Sequence, residues 1–412
     1  MRVLMLSQLY PPHLGGLEQH VRGLASRLVT RGHEVSIATL WHKGLPEFEL
    51  DQGVKVHRIR GTVHRAARLL FSHARVYAPP FPDPELTLAL RRIVLAEQPL
   101  IVHAHNWLVH SFLPLKDWSG AKLVVTLHDY GLVCAKWTLL HHNAICSGPG
   151  FRKCLGCASG HYGPLKGAST VLAMKVAGRF ERVDVDLFVP VSHAVAAGNG
   201  LTTRGLPFQV IPNFLPDVAY DSAGMLQQDI NDDLVELPSD DYLLFVGALG
   251  PHKGVDVLLD AYASLADHPP LVLVGYEHSS YDIPLAGVPG KVIILKNLPH
   301  AAVMEAWRRS TIALIPSLCP ECCPTVAMEA MATGRPVIAS DVGGLPDIVE
   351  DGVTGLLVPP GDLVALREAI ERLLAEPGLR SRMGRAGKEK ASEFRASTIV
   401  SRIERAYSQL ME

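Results

Sequence analysis

Residues 316–347 read PSLCPECCPTVAMEAMATGRPVIASDVGGLPD, and the fold class can be argued outward from them. Pro324 opens a run of good helix formers, TVAMEAMAT, and Gly334 closes it, the usual asymmetry of Pro at a helix start and Gly just past its end. Glu329 therefore lies inside a helix and Glu321 before it. A continuous helix would separate the two carboxylates by about 12 Å. Pro324 and the adjacent Cys322 and Cys323 instead bring Glu321 in on a loop, so both carboxylates can face one crevice. The apolar strand PVIAS and the loop DVGG behind it complete the pattern of a parallel α/β sheet whose loops carry binding groups. A ligand belongs at that carboxyl edge. Free N–H groups at a helix start suit phosphate and paired carboxylates suit sugar hydroxyls, so together they describe a nucleotide sugar. Taken alone, Glu329 is explained equally well as a surface carboxylate on an ordinary β-α-β unit. Cys319, Cys322 and Cys323 read as small packing residues at the helix start.

The same alternation runs through the rest of the chain. RVLMLS (2–7) is a buried strand, QLYPPHLGG (8–16) a loop, and LEQHVRGLASRLVTRG a helix with Val21, Leu24, Ala25 and Leu28 on one face and Gly32 as its stop. Gly15 and Gly16 at that turn allow backbone to approach a ligand, with the helix start behind them suited to an oxyanion. EVSIATL, VKVHRIR, IVHAHN and KLVVTLHD continue as strands between helical patterns, and DYLLFVGAL (241–249) opens a second series with PLVLVGYE, KVIILK and TIALIPS. Strand and helix in alternation predict doubly wound parallel sheets.

With 412 residues, two domains are expected. No run of about 18 apolar residues is present, so no membrane span is expected. MRVLMLSQLYPPH reads as a first strand and loop and not as a signal peptide, which gives an expected cytoplasmic address, peripheral at the inner membrane face. The net charge of −2 hides a division: residues 1–190 hold 22 Lys and Arg against 13 Asp and Glu, while the remainder is acidic. A basic half can attract a phosphorylated acceptor or an anionic membrane, and opposite signs favour closure of one domain onto the other; simple solvation is the plainer account. Residues 57–80, rich in Arg and His with Leu69, Leu70 and Phe71 among them, are either a basic amphipathic segment or a solvated connection.

Two further features carry chemistry. His128 ends the strand VVTLHD, where a side chain projects into a crevice, although a lone His is more often structural; Asp129 beside it supports the loop. Cys134, Cys146, Cys154 and Cys157 fall within CAKWTLLHHNAICSGPGFRKCLGC and end in a C-x2-C pair. Without a secretion signal, such a cluster favours metal over disulfides, and four thiolates favour structural zinc stapling a loop-like insertion over about 134–161. His141, His142 and His161 are possible substitutes as ligands. The spacing is not that of a standard zinc finger, so free thiols stay open as the second reading and disulfides as the third. Lys253 with Gly254 stands at a helix start in GPHKGVDVLLDAYASL, where a cation and free N–H groups would hold a diphosphate; a solvated surface lysine is the alternative.

The run ECCPTVAME (321–329), followed by AMATGRPVIASDVGGLPDIVEDGVTGLLVPPGD, resembles the E-x7-E region of retaining glycosyltransferases of family 4. GGLEQHV resembles that family's glycine-rich N-terminal loop, and VIPN followed by FLPD its crossing between domains. The resemblance spans nearly the whole chain except the Cys-rich insertion and the acidic stretch 217–241. It implies the GT-B fold, two Rossmann-like doubly wound parallel-sheet domains facing a cleft. The N-terminal, acceptor-side domain would cover 1–213 and the nucleotide-sugar domain 214–395, with a last helix, about 396–412, packing back onto the first domain.

The resemblance further implies roles. His128 and Glu321 contact sugar hydroxyls, His128 beside the reacting centre; Glu329 holds the ribose hydroxyls; Lys253 and the backbone at Thr325 and Val326 hold the diphosphate, with Gly15 and Gly16 facing it across the cleft. The loop NLPH after Lys296 is where relatives bind the base through backbone groups. An Arg of the family pattern is replaced here by Ala248, which weakens the inference about neutralising the leaving diphosphate. Asp184 and Asp186, the one D-x-D of the chain, lie at a helix-to-strand junction and not at the donor site, so transfer is expected to need no divalent ion and no catalytic metal. The expected donor is a UDP- or GDP-sugar and the acceptor a hydroxyl of a glycan, a lipid-linked carrier or a natural product, with peripheral membrane contact through the basic N-terminal domain and no nucleic-acid partner. Two other classes of function stay open: a sugar-nucleotide epimerase or hydrolase of the same fold, and a non-catalytic binding protein that uses its Cys-rich insertion.

Overall fold

A computed structural model describes residues 1–12, 15–65, 76–142, 144–220, 237–238, 241–276 and 281–412. The chain forms two compact units, Met1–Pro212 with Val400–Glu412, and Asn213–Ile399.

In the first unit the strands are β1 (Arg2–Leu6), β2 (Glu34–Leu40), β3 (Phe48–Asp51), β4 (Val54–Ile59), β5 (Ile101–Ala104) and β6 (Lys122–Leu127), then a separate hairpin of β7 (Leu140–His141) and β8 (Ala144–Ile145), then β9 (Leu187–Pro190). The seven-stranded sheet has the order β3-β4-β2-β1-β5-β6-β9. All its pairings are parallel except the edge pair β3–β4. β1, β5 and β6 are buried almost throughout, as the continuous apolar runs of a sheet covered on both faces require. Helix Gly16–Thr30 buries Val21, Leu24, Ala25 and Leu28, the stripe expected from its 3.6-residue period. From Val400 the last helix, Ala396–Met411, belongs to this unit. Its Glu404 pairs with Arg31 (2.7 Å) and His33 (2.8 Å), and its Tyr407 hydroxyl bonds His103 Nδ1 (2.6 Å).

The second unit holds β10 (Leu243–Val246), β11 (Leu271–Gly275), β12 (Val292–Lys296), β13 (Ile312–Ile315), β14 (Val337–Ser340) and β15 (Gly355–Val358) in the order β12-β11-β10-β13-β14-β15. Every pairing is parallel. Phe245, Leu258, Tyr262, Leu314, Ile338 and Ile370 lie in the core on one side of this sheet. Both sheets run outward from a central strand in two directions, so strand order reverses between β1 and β5 and again between β10 and β13. Ligands of such sheets bind outside the carboxyl ends of the strands at that reversal.

One expectation needs correction. The Cys-rich insertion is not loop-like: its first part carries the β7–β8 hairpin and its second part is the helix Phe151–Tyr162. That helix packs on Pro164–Asp184, where any side chain at Gly167 would collide with the backbone of Ala158 and Ser159. Small residues at the crossing and an apolar cluster of Ala135, Ala158 and Val171 hold this helix pair together. The Arg- and His-rich stretch falls partly, at 66–75, outside the described residues, as does most of the acidic stretch, at 221–236 and 239–240. Among the described residues no helix is long and apolar enough to cross a membrane.

Candidate active site

In the second unit the chain leaves β10 and makes one tight turn, Pro251–Lys253, before helix Val255–Ala263. Gly254 joins them at φ +74, and a Cβ there would collide with the Pro316 carbonyl, so this position demands glycine both for its left-handed backbone and for space. The close approach brings the loop after β13 against the turn after β10. The His252 carbonyl accepts N–H bonds from Leu318 (3.0 Å) and Cys319 (3.2 Å).

Two side chains meet at Glu321. Lys253 Nζ donates to Glu321 Oε1 at 2.5 Å, and Ser317 Oγ donates to the same oxygen at 2.6 Å. Burial draws the Lys253 ammonium down, but the Glu321 carboxylate, with Cys319 behind it, more than offsets this and leaves its pKa above the ordinary lysine value. The Glu321 backbone is held from the other side: Gly344 N–H donates to its carbonyl at 2.6 Å, and a Cβ at Gly343 would collide with its main chain. Glu321 is thus fixed at both ends, and so is Lys253.

Pro324 precedes the helix Thr325–Ala332, and no side chain caps that start, which leaves the Thr325 and Val326 backbone at a positive helix end. Gly334 follows the helix at φ +76. Glu329 is 7 % exposed and bonds His300 Nε2 at 3.0 Å through Oε1. The Glu329 bond raises the His300 pKa above its ordinary value against the opposing effect of burial. Glu321 and Glu329 therefore have different partners and are not a couple sharing one proton. Burial pushes the Cys319 thiol up to about 11, with Glu321 adding to the shift, and the Cys323 thiol up to about 12. Both are neutral packing groups at this helix start, and Ala248 is buried.

In the first unit Gly15 caps helix Gly16–Thr30, again without a side-chain cap. The Glu18 side chain folds back so that a Cβ at Gly15 would collide with its carboxylate, so the helix start carries an acidic group of its own. His128, just past β6, bonds His105 Nδ1 through Nε2 at 3.0 Å, and the rings stack 5.3 Å apart. His103 adds bonds to Tyr407 and Thr126, both 2.6 Å. Burial holds His103 near 3 and His105 well below the ordinary imidazole range, so both rings are neutral at pH 7. Asp129 accepts the Gly131 N–H at 2.7 Å and its carbonyl accepts from Asn199 Nδ2 at 2.9 Å, which is the loop support expected of it; burial raises its carboxyl to about 6.

Beside these residues, at the carboxyl ends of β1, β5 and β6, lies a cavity of about 230 Å³. Tyr77, Trp107 and Trp137 face it together with the polar side chains of Gln8, Asn106 and Asp129. Trp137 stands edge-on to Trp107 (5.0 Å) and Tyr77 (5.8 Å). Trp137 comes from the Cys-rich insertion, so that insertion forms one wall.

The cysteines of the insertion sit around the β7 segment: the Cys134 thiol meets the Leu139 backbone and lies close enough to Cys146 to feel its charge. Cys146 points at the Gly148 carbonyl (3.4 Å), Cys154 receives the Gly150 N–H (3.4 Å), and Cys157 lies 3.9 Å from the Leu140 carbonyl. Among the described residues no group of three or more His, Cys, Asp or Glu is placed to hold a metal ion, and Cys134, Cys146, Cys154 and Cys157, the expected zinc ligands, are all free thiols. Asp186 accepts the Leu123 N–H (2.7 Å) and pairs with Lys116 (2.9 Å), a structural role for the second Asp of the D-x-D.

His300 and Ser317 escaped the sequence reading as partners of the two glutamates, as did His105 and the aromatic cavity. His300 ends the loop NLPH, which was singled out only for its backbone. The tandem HAH at 103–105 was a signal available for His105.

Comparison with known proteins places these features in a family. Residues 14–216 match the family described as Glycosyltransferase Family 4, and residues 227–390 match the family described as Glycosyl transferases group 1. An uncharacterized glycosyltransferase of Methanocaldococcus jannaschii is 27% identical over 100% of this chain and 99% of its own length. Sucrose-phosphate synthase of Thermosynechococcus elongatus superposes with a TM-score of 0.73 at 22% identity, over 99% of this chain and 98% of that one. HepE of Anabaena, solved in complex with UDP-glucose, superposes with a TM-score of 0.67 at 19% identity over 99% of each chain. The chain is a glycosyltransferase of GT-B type, a Glycosyltransferase Family 4 region followed by a glycosyl transferases group 1 region.

Proposed function

We propose that the protein is a retaining, metal-independent glycosyltransferase that moves a sugar from a UDP- or GDP-sugar to an acceptor hydroxyl. The observation that carries this reading is the cluster of Lys253, Ser317 and Glu321 at the strand-order reversal between β10 and β13, in the same unit as the uncapped helix start at Thr325. A diphosphate carries negative charge that grows as its bond to the anomeric carbon breaks, and a fixed cation with N–H dipoles stabilises that growth. Lys253 and the Thr325 and Val326 backbone supply these, and diphosphate displaces Glu321 as the charge partner of Lys253. Glu321 is then available to a sugar hydroxyl, and buried Glu329, oriented by His300, accepts from the ribose hydroxyls. In the first unit, taken by itself, Gly15 and Gly16 are suited to a phosphate and His128 to a sugar hydroxyl.

In the transfer step the acceptor oxygen bonds to the anomeric carbon on the face from which the diphosphate oxygen departs. The acceptor proton passes to that departing oxygen, so no carboxylate nucleophile is required. The cavity walled by Tyr77, Trp107 and Trp137 is proposed for the acceptor, because aromatic faces with polar neighbours suit a sugar ring. The structural relative solved with UDP-glucose supports a nucleotide-sugar donor.

A thermal-shift panel of nucleotide sugars tests the reading, since a ligand of the folded state raises apparent stability by mass action. Stabilisation by a UDP- or GDP-sugar, turnover that survives EDTA, and a product whose anomeric configuration matches the donor are expected. Inversion of that configuration, or no stabilisation by any nucleotide sugar, overturns it.

A further inference from the structure

Between Asp129 and Glu181 the chain contains no Asp or Glu, yet it carries Lys136, Arg152, Lys153, Lys166, Lys175 and Arg179. The helix Pro164–Asp184 from this stretch turns an unusual face to solvent. Leu165 is 87%, Leu172 51%, Val176 62%, Phe180 60% and Val183 82% exposed. Their separations of seven, four, four and three residues place them on one side of the helix, with Lys166, Lys175 and Arg179 flanking them and also exposed. Scattered exposed apolar residues need no explanation, but a contiguous stripe edged by cations does.

On the flank of the same helix is a cavity of about 200 Å³. Its wall combines the cations of Lys175, Arg182 and Arg204 with the apolar side chains of Phe151, Val171 and Met174. Arg182 Nε is buried without a hydrogen-bond partner among the described residues. Arg204 is held by the Asn199 carbonyl (3.1 Å), and its pKa is lowered by burial and by the like charge of Arg182. Converging cations with an unsatisfied buried donor call for an anion, and the apolar wall beside them calls for a chain attached to it.

We propose that this face of the N-terminal unit docks on an anionic phospholipid surface, the stripe Leu165, Leu172, Val176, Phe180 and Val183 entering the acyl boundary and the cavity of Lys175, Arg182 and Arg204 taking a lipid phosphate. A basic amphipathic helix lying in the interface gains from both buried apolar area and attraction to acidic lipids. The proposal gives the expected membrane contact a location, and it does not depend on the donor assignment. Nucleotide-sugar stabilisation and vesicle binding are read separately, so either can fail alone.

Full-length protein is sedimented with vesicles of phosphatidylcholine alone and of phosphatidylcholine with 30 % phosphatidylglycerol. Binding to the acidic vesicles only, falling steeply with added salt, is expected. Val176→Glu with Phe180→Glu should weaken it at least about tenfold, and Lys175→Gln with Arg182→Gln about 30-fold, at roughly fivefold for each cation's attraction removed. Both double variants alter exposed or cavity-lining side chains, and unchanged melting curves verify that they fold. Glycerol 1-phosphate in place of vesicles separates the phosphate site from the bilayer: weak protection lost in Lys175→Gln with Arg182→Gln supports the cavity. No binding to acidic vesicles, or binding that neither variant weakens, overturns the proposal. So does a dimer in light scattering that Val176→Glu with Phe180→Glu dissolves without any vesicle affinity, since the stripe would then be covered by a second copy.

Discussion

Glu321 Oε1 accepts two hydrogen bonds at once, from Lys253 Nζ at 2.5 Å and from Ser317 Oγ at 2.6 Å. The Lys253 side chain is 25% exposed and that of Glu321 12%, so neither charge is freely solvated. Removing Lys253 leaves a largely buried carboxylate without its cation, and Lys253→Ala is expected to cost about 1.5–3 kcal/mol of stability. Adding Glu321→Ala should recover part of that loss. Urea unfolding of the two single variants and the double variant measures the coupling; strictly additive effects would show that the pair does not interact. Nucleotide-sugar affinity should fall at least about tenfold in Lys253→Ala, by the loss of one charge-assisted contact.

Gly254 offers a purely steric test. Ala at this position meets both a left-handed backbone and the Pro316 carbonyl, so Gly254→Ala should destabilise the protein by more than about 1 kcal/mol. Gly16→Ala makes the control, since a Cβ there meets nothing within 4 Å. Equal melting temperatures for Gly254→Ala and the wild type would contradict the close approach.

The His300–Glu329 contact predicts a pH dependence with a definite sign. The folded-state pKa of His300 is raised above its unfolded value of about 6.5, so its contribution to stability is complete below that pH. It fades as pH rises through the raised folded value. The difference in melting temperature between wild type and His300→Gln should therefore shrink from pH 5.5 to pH 8. The His300 side chain is 52% exposed, so the effect is small. A difference that grows with pH refutes the pairing. Glu329→Ala should weaken nucleotide affinity, and unchanged affinity removes the ribose assignment.

His128 is held by a neutral neighbour. Among the described residues His105 Nε2 is buried without a hydrogen-bond partner, and a proton placed there would leave an unsatisfied donor at a cost of about 1–3 kcal/mol. The proton of His105 therefore belongs on Nδ1, donated to His128 Nε2. Nitrogen-15 NMR of labelled histidines reads this tautomer directly. His128→Ala should leave the fold intact and lower kcat about 100-fold or more, the usual scale for one lost catalytic polar contact. Wild-type turnover in that variant takes His128 out of the site.

For the insertion, metal analysis of the purified reduced protein decides the zinc expectation, and less than about half an equivalent rejects the closed four-thiolate site. A full equivalent of tightly held zinc, with the four thiols protected from a thiol reagent until a chelator is added, supports it. Trp137→Ala, which removes one wall of the aromatic cavity, should raise the acceptor KM about tenfold while nucleotide affinity stays unchanged.

What the sequence alone determined is whatever depends on neighbours along the chain. The helix Thr325–Ala332 between Pro324 and Gly334, the buried stripe of Gly16–Thr30, and the parallel strands were legible because caps, periodicity and apolar runs are local properties. The residue types at the donor-side loops were legible for the same reason, as a motif of fixed spacing around Glu321 and Glu329. Tertiary structure decided which groups those residues meet. Lys253 stands 68 residues from Glu321, His300 29 residues from Glu329 and His105 23 residues from His128. Each pair meets only because parallel strands bring successive loops to one sheet edge, a juxtaposition that no spacing rule encodes. The insertion shows the converse. The cysteine-rich stretch reads as a loop, while packing at Ala158 and Gly167 forms a helix pair. The outcome lay in side-chain volume at a helix crossing, which the cysteine spacing does not report.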